Sequence, residues 1–209
     1  MTLIQAEGTF VKDNSLEYRI EAQLKIKGNS PPQNILLIML NPGDSKLQND
    51  TAWNLTKNNQ KKTDKINLDK TMNKVVYLLK KADSNFNGSV HILNLFNLRH
   101  TKAQEAIQEY VTQKKDKSES PFLETDFSIV NLTDYDFTWV AWSLEANSYL
   151  NNRKKDVLCH LRKQGEGRII GKFESCFHAR HLRPRLKKHQ DEYESYIVPE
   201  LCNALALRK

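Results

Sequence analysis

Three runs of apolar residues mark the candidate core of this chain. They are ILLIML at Ile35–Leu40, VHILNL at Val90–Leu95 and FTWVAW at Phe137–Trp142. Each run has the length of a strand and lacks a strict polar alternation, which is typical of strands that are buried on both faces of a parallel sheet. The pattern therefore predicts central strands at these positions.

The segments between these runs carry patterns of helices and of a more exposed strand. Tyr18–Lys27 alternates apolar and polar residues and predicts a half-exposed edge strand. The other predicted elements are helices over Leu68–Lys81, Lys102–Val111, Ser148–Lys163 and Lys187–Leu207, a polar loop at Gln113–Ser120, and a last short strand drawn from Ile169, Ile170 and Phe173–Phe177.

Strands that alternate with helices predict an α/β protein with a mostly parallel sheet covered on both faces. We expect residues 1–209 to form a single three-layer α/β/α domain, with an edge strand within residues 1–30 and a helix over residues 187–209. Ligands of such sheets bind at the carboxyl ends of the strands. The candidate site segments are those that follow predicted strands: Asn41-Pro42-Gly43-Asp44, Asn94–Asn97 with Arg99, and His178–His181.

The composition excludes several classes of protein. Hydrophobic residues make up 39% and charged residues 27% of the 209 residues, as in a globular domain. No apolar run reaches the about 18 residues that span a bilayer, and residues 1–7 lack the pattern of a signal peptide. The 3 cysteines show no pairing pattern. We therefore expect a cytoplasmic protein with reduced thiols and no membrane association.

Positive charge is concentrated toward the end of the chain. The formal net charge is +7, and the segment Arg153–Lys188 alone holds twelve Lys or Arg residues against three acids. This segment interleaves Arg and His with Phe173 and Phe177, and Arg is well shaped for bidentate phosphate contacts. The pattern favours a polyanionic partner, for which we expect DNA. Lys57–Lys81 is also rich in lysine, but there we favour solvated helix faces.

Several motifs resemble, in their order, a bacterial and phage family called domain of unknown function 1643. They are Tyr18-Arg19, MLNPG at Met39–Gly43, Asn49-Asp50-Thr51, LNLFNLR at Leu93–Arg99 and VAW at Val140–Trp142. The chain departs from the usual family pattern at Gly43, where the family has Ser, and at Ser143, where it has Gly. It also reads Ala179-Arg180-His181-Leu182 where the family has Pro-x-His-Pro.

The same order of motifs is similar to the uracil-DNA glycosylase superfamily, in particular its mismatch-specific thymine/uracil branch. That branch has G-I-N-P-G after its first core strand, Asn after the second, Trp-Gly after the third and a His-containing loop after the last. Here the matching positions hold Asn41-Pro42-Gly43, Asn94, Trp142-Ser143, and His178 or His181. The resemblance implies a uracil-DNA glycosylase-like fold. It also implies hydrolysis of the N-glycosidic bond of an unusual or modified base flipped out of DNA, in DNA repair or in phage–host defence.

The first loop has residues that suit glycosidic hydrolysis. This reaction builds positive charge on the sugar and negative charge on the departing base, and it needs a water placed beneath the sugar. Asn41 is our candidate to position that water, since Pro42 fixes the turn and Gly43 allows close approach to the backbone. Asp44 or Asp50 can supply a carboxylate to the cation, although Asp44 can equally cap a helix. Asn-Pro-Gly is also a common turn without any catalytic role.

The later loops supply candidates for recognition of the base. Asn94 can read a base edge because a carboxamide is both donor and acceptor, although a buried Asn can equally satisfy backbone groups. A neutral His can donate to a base oxygen and so stabilise the leaving group, and we favour His181 over His178 for this role. Phe96 can stack on the base or belong to the core. The candidate phosphate contacts are Arg99, Arg180, Arg183 and Arg185.

We expect no cofactor and no metal. Cys176, His178 and His181 lie close in sequence, but a closed zinc site usually needs a fourth ligand and paired spacing. The phosphate-loop, dinucleotide-binding and nucleophile-elbow motifs are missing from the sequence. Two alternatives to a DNA glycosylase stay open: a non-catalytic module that binds nucleic acid or a nucleotide, and an enzyme that acts on free nucleotides.

Overall fold

The structure is a computed structural model that describes residues 3–43, 45–48, 58–164 and 168–207. The candidate carboxylates Asp44 and Asp50, and with them the Asn49-Asp50-Thr51 motif, lie outside the described residues. The strands are β1 (Ile4–Asp13), β2 (Leu16–Ile26), β3 (Gln33–Met39), β4 (Lys62–Lys65), β5 (Gly88–Asn94), β6 (Phe137–Ala141) and β7 (Arg168–Ile170). The α-helices are α1 (Lys70–Ala82), α2 (Ala103–Asp116), α3 (Ser148–Lys163) and α4 (Lys187–Ala206).

All of these strands belong to one mixed sheet of 7 strands in the order β4-β1-β2-β5-β3-β6-β7. The four strands from β5 to β7 are parallel, whereas β4, β1, β2 and β5 pair antiparallel. The prediction of a mostly parallel sheet is therefore wrong, because the sheet is mixed. The physical reason is the tight turn at Asn14, whose positive φ of 54° joins β1 and β2 directly without a crossover helix.

The predicted edge strand Tyr18–Lys27 is also placed wrongly, because β2 lies inside the sheet between β1 and β5. Its alternation arises because Ala22 and Leu24 face the core while Glu21 and Gln23 face a polar groove on the other side of the sheet. The three apolar runs are confirmed as β3, β5 and β6, and each of these strands is paired on both sides.

Two predictions near the ends of elements are corrected. Helix α2 continues to Asp116, so the first half of the predicted polar loop is helical. A local ion pair of Lys114 with Glu119 at 2.7 Å and a long-range hydrogen bond from Gln113 to the Tyr18 hydroxyl at 3.3 Å hold this last turn. The predicted final strand is limited to β7, because residues 173–177 form only an isolated bridge between Phe173 and Ala179.

Helices cover both faces of the sheet. Ile35 and Leu37 of β3 pack with residues of α1 and α4, and the alternate residues Leu36 and Ile38 pack with α2 and α3. This arrangement gives the predicted layers of helix, sheet and helix. In the part of the chain that the structure describes, no helix is long and apolar enough to cross a membrane.

A buried lysine fixes the loop that follows β6. Lys154 of α3 is fully buried, and its Nζ donates to the carbonyl oxygens of Ser143 at 2.8 Å and Glu145 at 2.6 Å. Ser143 has a φ of 96°, a left-handed conformation that is strained for a residue with a side chain. The backbone N–H of Ser143 also donates to Ala179 at 3.0 Å. Together these contacts hold a strained turn at the carboxyl end of the parallel strands.

The contact between β6 and α4 gives a stability prediction. The indole Nε1 of Trp139 donates to the Tyr193 hydroxyl at 3.0 Å, and both side chains are buried. Tyr193→Phe leaves this N–H without an acceptor, so we expect the free energy of unfolding in urea to fall by about 1–3 kcal/mol. Tyr196→Phe is the control on the same helix, because the Tyr196 side chain is exposed. Equal losses in the two variants would contradict a role for the buried bond.

Lys154 gives a prediction about pH. Burial lowers its pKa from 10.5 to about 8, while the Glu145 carboxylate opposes the shift. Between these two values the unfolded chain binds more protons than the folded one, so this group makes the free energy of unfolding rise with pH. We therefore expect wild type to gain stability relative to Lys154→Met from pH 8 to 10, and the difference to stay constant below pH 7. Denaturation at a series of pH values measures this difference. Lys155→Met, which changes an exposed neighbour, should show no such trend.

Candidate functional site

A cleft of about 1080 Å³ opens at the carboxyl ends of the parallel strands. The end of β3, Ile92 of β5 and the loop after β6 contribute one part of its lining. The first turns of α1 and α2, together with residues 180–189, contribute the rest. This is the edge of the sheet at which the sequence predicts a site, and the volume is comparable to that of small-molecule pockets, about 300–1,000 Å³.

The first and third predicted segments meet in this cleft. The predicted site residues that line it are Asn41, Pro42, Gly43, Arg180, His181, Arg183 and Arg185. Gly43 has a φ of 68°, and a β-carbon there would meet only Asp69 Oδ2 at 3.9 Å. The backbone conformation, rather than a lack of space, therefore favours glycine at this position.

His181 is partly buried at the wall of the cleft. Its Nδ1 lies 3.1 Å from both the backbone N–H and the carbonyl oxygen of Arg183, so either neutral tautomer has a backbone partner. When Nδ1 accepts from the N–H, the proton is on Nε2. Burial lowers the pKa of His181, although the Arg183 carbonyl and Asp69 oppose the shift. A neutral imidazole with a donor nitrogen is the form that the leaving-group role requires.

The four candidate phosphate contacts differ in their surroundings. Arg180 is held by ion pairs with Glu174 and, at 3.4 Å, with Glu192. Arg99 pairs with Glu17 and does not line the cleft. Arg183 and Arg185 are exposed, and neither lies within 4 Å of a carboxylate of the described residues. Only these last two guanidinium groups combine exposure at the cleft with freedom to contact phosphate.

The other predicted residues lie away from the cleft surface. Phe96 is fully buried and stacks on Tyr110 of α2, with ring centroids 4.7 Å apart. His178 contacts Asn151 Oδ1 at 3.1 Å through Nε2 and Ser175 Oγ at 3.0 Å through Nδ1. The structure thus separates His178 from His181, the histidine that the sequence analysis favours, which does line the cleft.

Asn94 is fully buried at the end of β5 and is not part of the cleft surface. It lies on the same face of β5 as Ile92, which does line the cleft, because side chains alternate along a strand. Neither its Oδ1 nor its Nδ2 has a hydrogen-bond partner among the described residues. Buried carboxamides usually have hydrogen-bond partners, so Asn94 is an exception, and it lies close to the cleft wall at Ile92.

Sequence reasoning missed a buried arginine in the cleft lining. Arg19 of β2 is only 2% exposed, and its Nη1 donates to Ser45 Oγ. The register of β1 and β2 shifts so that Phe10 pairs with Arg19 and Ile20 is the additional residue. This bulge turns Arg19 onto the face of the sheet that also carries Asn94. The Tyr18-Arg19 motif was the available signal in the sequence. The alternating pattern alone indicated only that these residues belong to a strand.

The lining of the cleft is predominantly basic. Among the described residues of the lining, the cationic side chains are Arg19, Lys46, Lys70, Lys102, Arg180, Arg183 and Arg185, and the carboxylates are Asp69 and Glu145. The N-terminal ends of α1 and α2 add the positive ends of two helix dipoles. No group of three or more His, Cys, Asp or Glu residues within the described ranges is arranged to hold a metal ion. The field of the cleft therefore favours an anionic ligand.

Comparison with protein families gives a match over most of this architecture. A family model described as "Protein of unknown function (DUF1643)" matches residues 47–181, which is more than half of the chain. The matched segment contains Asn94 and His181, whereas Arg19 and Asn41 precede it. No curated protein and no solved structure matches the chain. The chain belongs to the DUF1643 family of proteins of unknown function.

Proposed function

We propose that the cleft accepts a nucleotide flipped out of DNA and hydrolyses the N-glycosidic bond of an unusual or modified base. The observation that carries this proposal is that Asn41 and His181, from loops far apart in sequence, line one basic cleft. Asn41 and His181 are also two of the positions at which the sequence resembles the uracil-DNA glycosylase superfamily. Membership of the family does not itself supply an activity.

The roles follow from the position of each group. Asn41 would orient a water toward the anomeric carbon of the sugar, and His181 would donate a hydrogen bond to the departing base. The water oxygen bonds to C1′ while the bond from C1′ to the base nitrogen breaks and leaves its electron pair on the base. The water supplies the hydroxyl of the abasic sugar and the proton of the released base. A donor aimed at the departing anion contributes about 3–4 kcal/mol in comparable sites.

Recognition of the base would use the end of β5. The carboxamide of Asn94 offers a donor and an acceptor that the described residues leave unpaired. Asn94 is buried beside the wall formed by Ile92 and is not part of the cleft surface, so a base contacts it only by entering deeply and displacing part of this wall. A base that is still paired in a duplex cannot enter so far, which is consistent with a flipped nucleotide.

Base release from DNA tests this proposal. Oligonucleotides that contain uracil, 5-hydroxymethylcytosine or glucosylated 5-hydroxymethylcytosine are incubated with the protein, and alkali-labile abasic sites are measured. We expect release of at least one base, and a loss of about 100-fold in rate in Asn41→Ala and in His181→Ala.

His178→Ala and Asn152→Ala are the matched controls, since His178 lies outside the cleft and Asn152 is exposed on α3. Both should keep the wild-type rate. Base release that depends on His178 but not on His181 would reverse the assignment. DNA binding without any product would instead indicate a non-catalytic binding module, and activity on mononucleotides alone would indicate an enzyme of free nucleotides.

Salt dependence tests the predicted phosphate contacts. Each phosphate contact to duplex DNA contributes about 0.9 to the slope of log affinity against log salt. Changing Arg183 and Arg185 together to Gln should therefore reduce this slope by about 2. The control changes Lys61 and Lys65 to Gln, since both are exposed and neither lines the cleft. Equal changes in slope for the two double variants would contradict binding at the cleft.

A further inference from the structure

Arg19 is a buried cation that makes no ion pair with a carboxylate of the described residues. Its guanidinium lines the cleft with 2% exposure, and no described carboxylate lies within the 4.0 Å of an ion pair. Nη1 donates to Ser45 Oγ, whereas Nε has no hydrogen-bond partner among the described residues. Burying an unpaired charge is costly, so a guanidinium kept in this position points to a partner that arrives from the cleft.

Asp69 acts on this guanidinium electrostatically but makes no ion pair with it. Asp69 raises the pKa of Arg19, but Asp69 Oδ1 accepts the N–H groups of Thr71 at 2.8 Å and Met72 at 2.7 Å and caps α1. Burial, with a smaller effect of Arg99, lowers the pKa of Arg19 to about 10. The group is still charged at neutral pH.

The groups beside Arg19 also donate hydrogen bonds. Ser45 Oγ accepts from Arg19, so the hydrogen of its hydroxyl is available to a ligand. The first turn of α2 lines the same cleft, and its N-cap residue Lys102 makes no side-chain capping bond to it. Helix N–H groups that lack a capping side chain favour an anion. A donor-rich, positively charged pocket of this kind accommodates an oxyanion better than a neutral group.

We propose that Arg19 and Ser45 form a subsite for an oxyanion at the end of a substrate group, either a terminal phosphate or a carboxylate. The inference rests on the proposed function in that it assigns part of the substrate in the same cleft. The depth of Arg19 within the cleft determines which oxyanions can reach it. Arg183 and Arg185 are exposed and can contact a continuous phosphodiester backbone, whereas Arg19 is buried and can be reached only by a terminal or pendant group. In a nucleotide flipped out of DNA such a group would be a carboxylate on the base, whereas a terminal phosphate would belong to a free nucleotide.

Two matched pairs of probes test the subsite by isothermal titration calorimetry. Thymidine 5′-monophosphate is compared with thymidine, and 5-carboxy-2′-deoxycytidine with 2′-deoxycytidine. We expect wild type to prefer the charged member of one pair by about 10- to 100-fold in Kd, because hydrogen bonds to a charged group contribute that much. The pair that shows the preference identifies the source of the oxyanion. No preference in either pair overturns the subsite.

Arg19→Gln should remove the preference, and Arg19→Lys should keep part of it because the charge is retained. Arg162→Gln is the control, since Arg162 is exposed on α3 and does not line the cleft. A preference that survives Arg19→Gln overturns the proposal. If Arg19→Gln fails to melt cooperatively, Ser45→Ala decides, because it removes one hydroxyl and leaves the guanidinium in place. A weaker preference in Ser45→Ala supports the subsite, and an unchanged preference overturns it.

The two proposals fail separately. A preference for the charged probe that depends on Arg19, combined with no base release from any oligonucleotide, overturns the glycosylase proposal and leaves the subsite standing. Base release from DNA with no effect of Arg19→Gln on probe binding overturns the subsite alone.

Discussion

The parallel pairing of β3 with β5 on one side and β6 on the other is the constraint on which the rest of the structure depends. The register sets Met39 level with Asn94 and with Ala141 across these three strands. The loops that follow them must therefore leave the sheet at one edge and at one height. Because β3 is packed on both faces, a one-residue shift of register would exchange the side chains that face the two helical layers, so the packing of the core fixes the convergence of the loops.

Buried polar and charged side chains, which are costly to remove from water, are concentrated at this same edge of the sheet. Lys154, Arg19 and Asn94 are all buried there, and none of them has a carboxylate partner within hydrogen-bond distance among the described residues. The Nζ of Lys154 donates to backbone carbonyls of the turn after β6, so its burial is explained by its role in holding this turn. Arg19 and Asn94 keep unpaired atoms on one face of the sheet. Lys154 therefore stabilises the cleft, whereas Arg19 and Asn94 have atoms that a ligand can bind.

The sequence predicted the parts of the fold that local patterns specify. The runs at 35–40, 90–95 and 137–142 are apolar enough to require burial on both faces, and the helices over 70–82 and 148–163 carry clear periodicity. It could not predict that β2 lies inside the sheet, because an alternating strand with one polar face looks the same at an edge. It also placed Asn41 and His181 at one site, since both follow the parallel core. The position of Arg19 in the cleft could not be predicted, because one additional residue in β2 determines which face of the sheet its side chain occupies.

The charge of the chain illustrates the same limit. Of the twelve cationic residues between Arg153 and Lys188, several make hydrogen bonds or ion pairs within the protein. Arg153 donates to the carbonyl oxygens of Leu95 and Thr125, Lys154 holds the turn after β6, and Arg180 is paired with two glutamates. A sum over the sequence therefore overstates the charge that a ligand meets. The basic character of the cleft comes instead from a few cations brought together from separate elements, such as Arg19 of β2, Lys70 of α1 and Arg183. Only the topology of the sheet could reveal that set, because no local segment contains it.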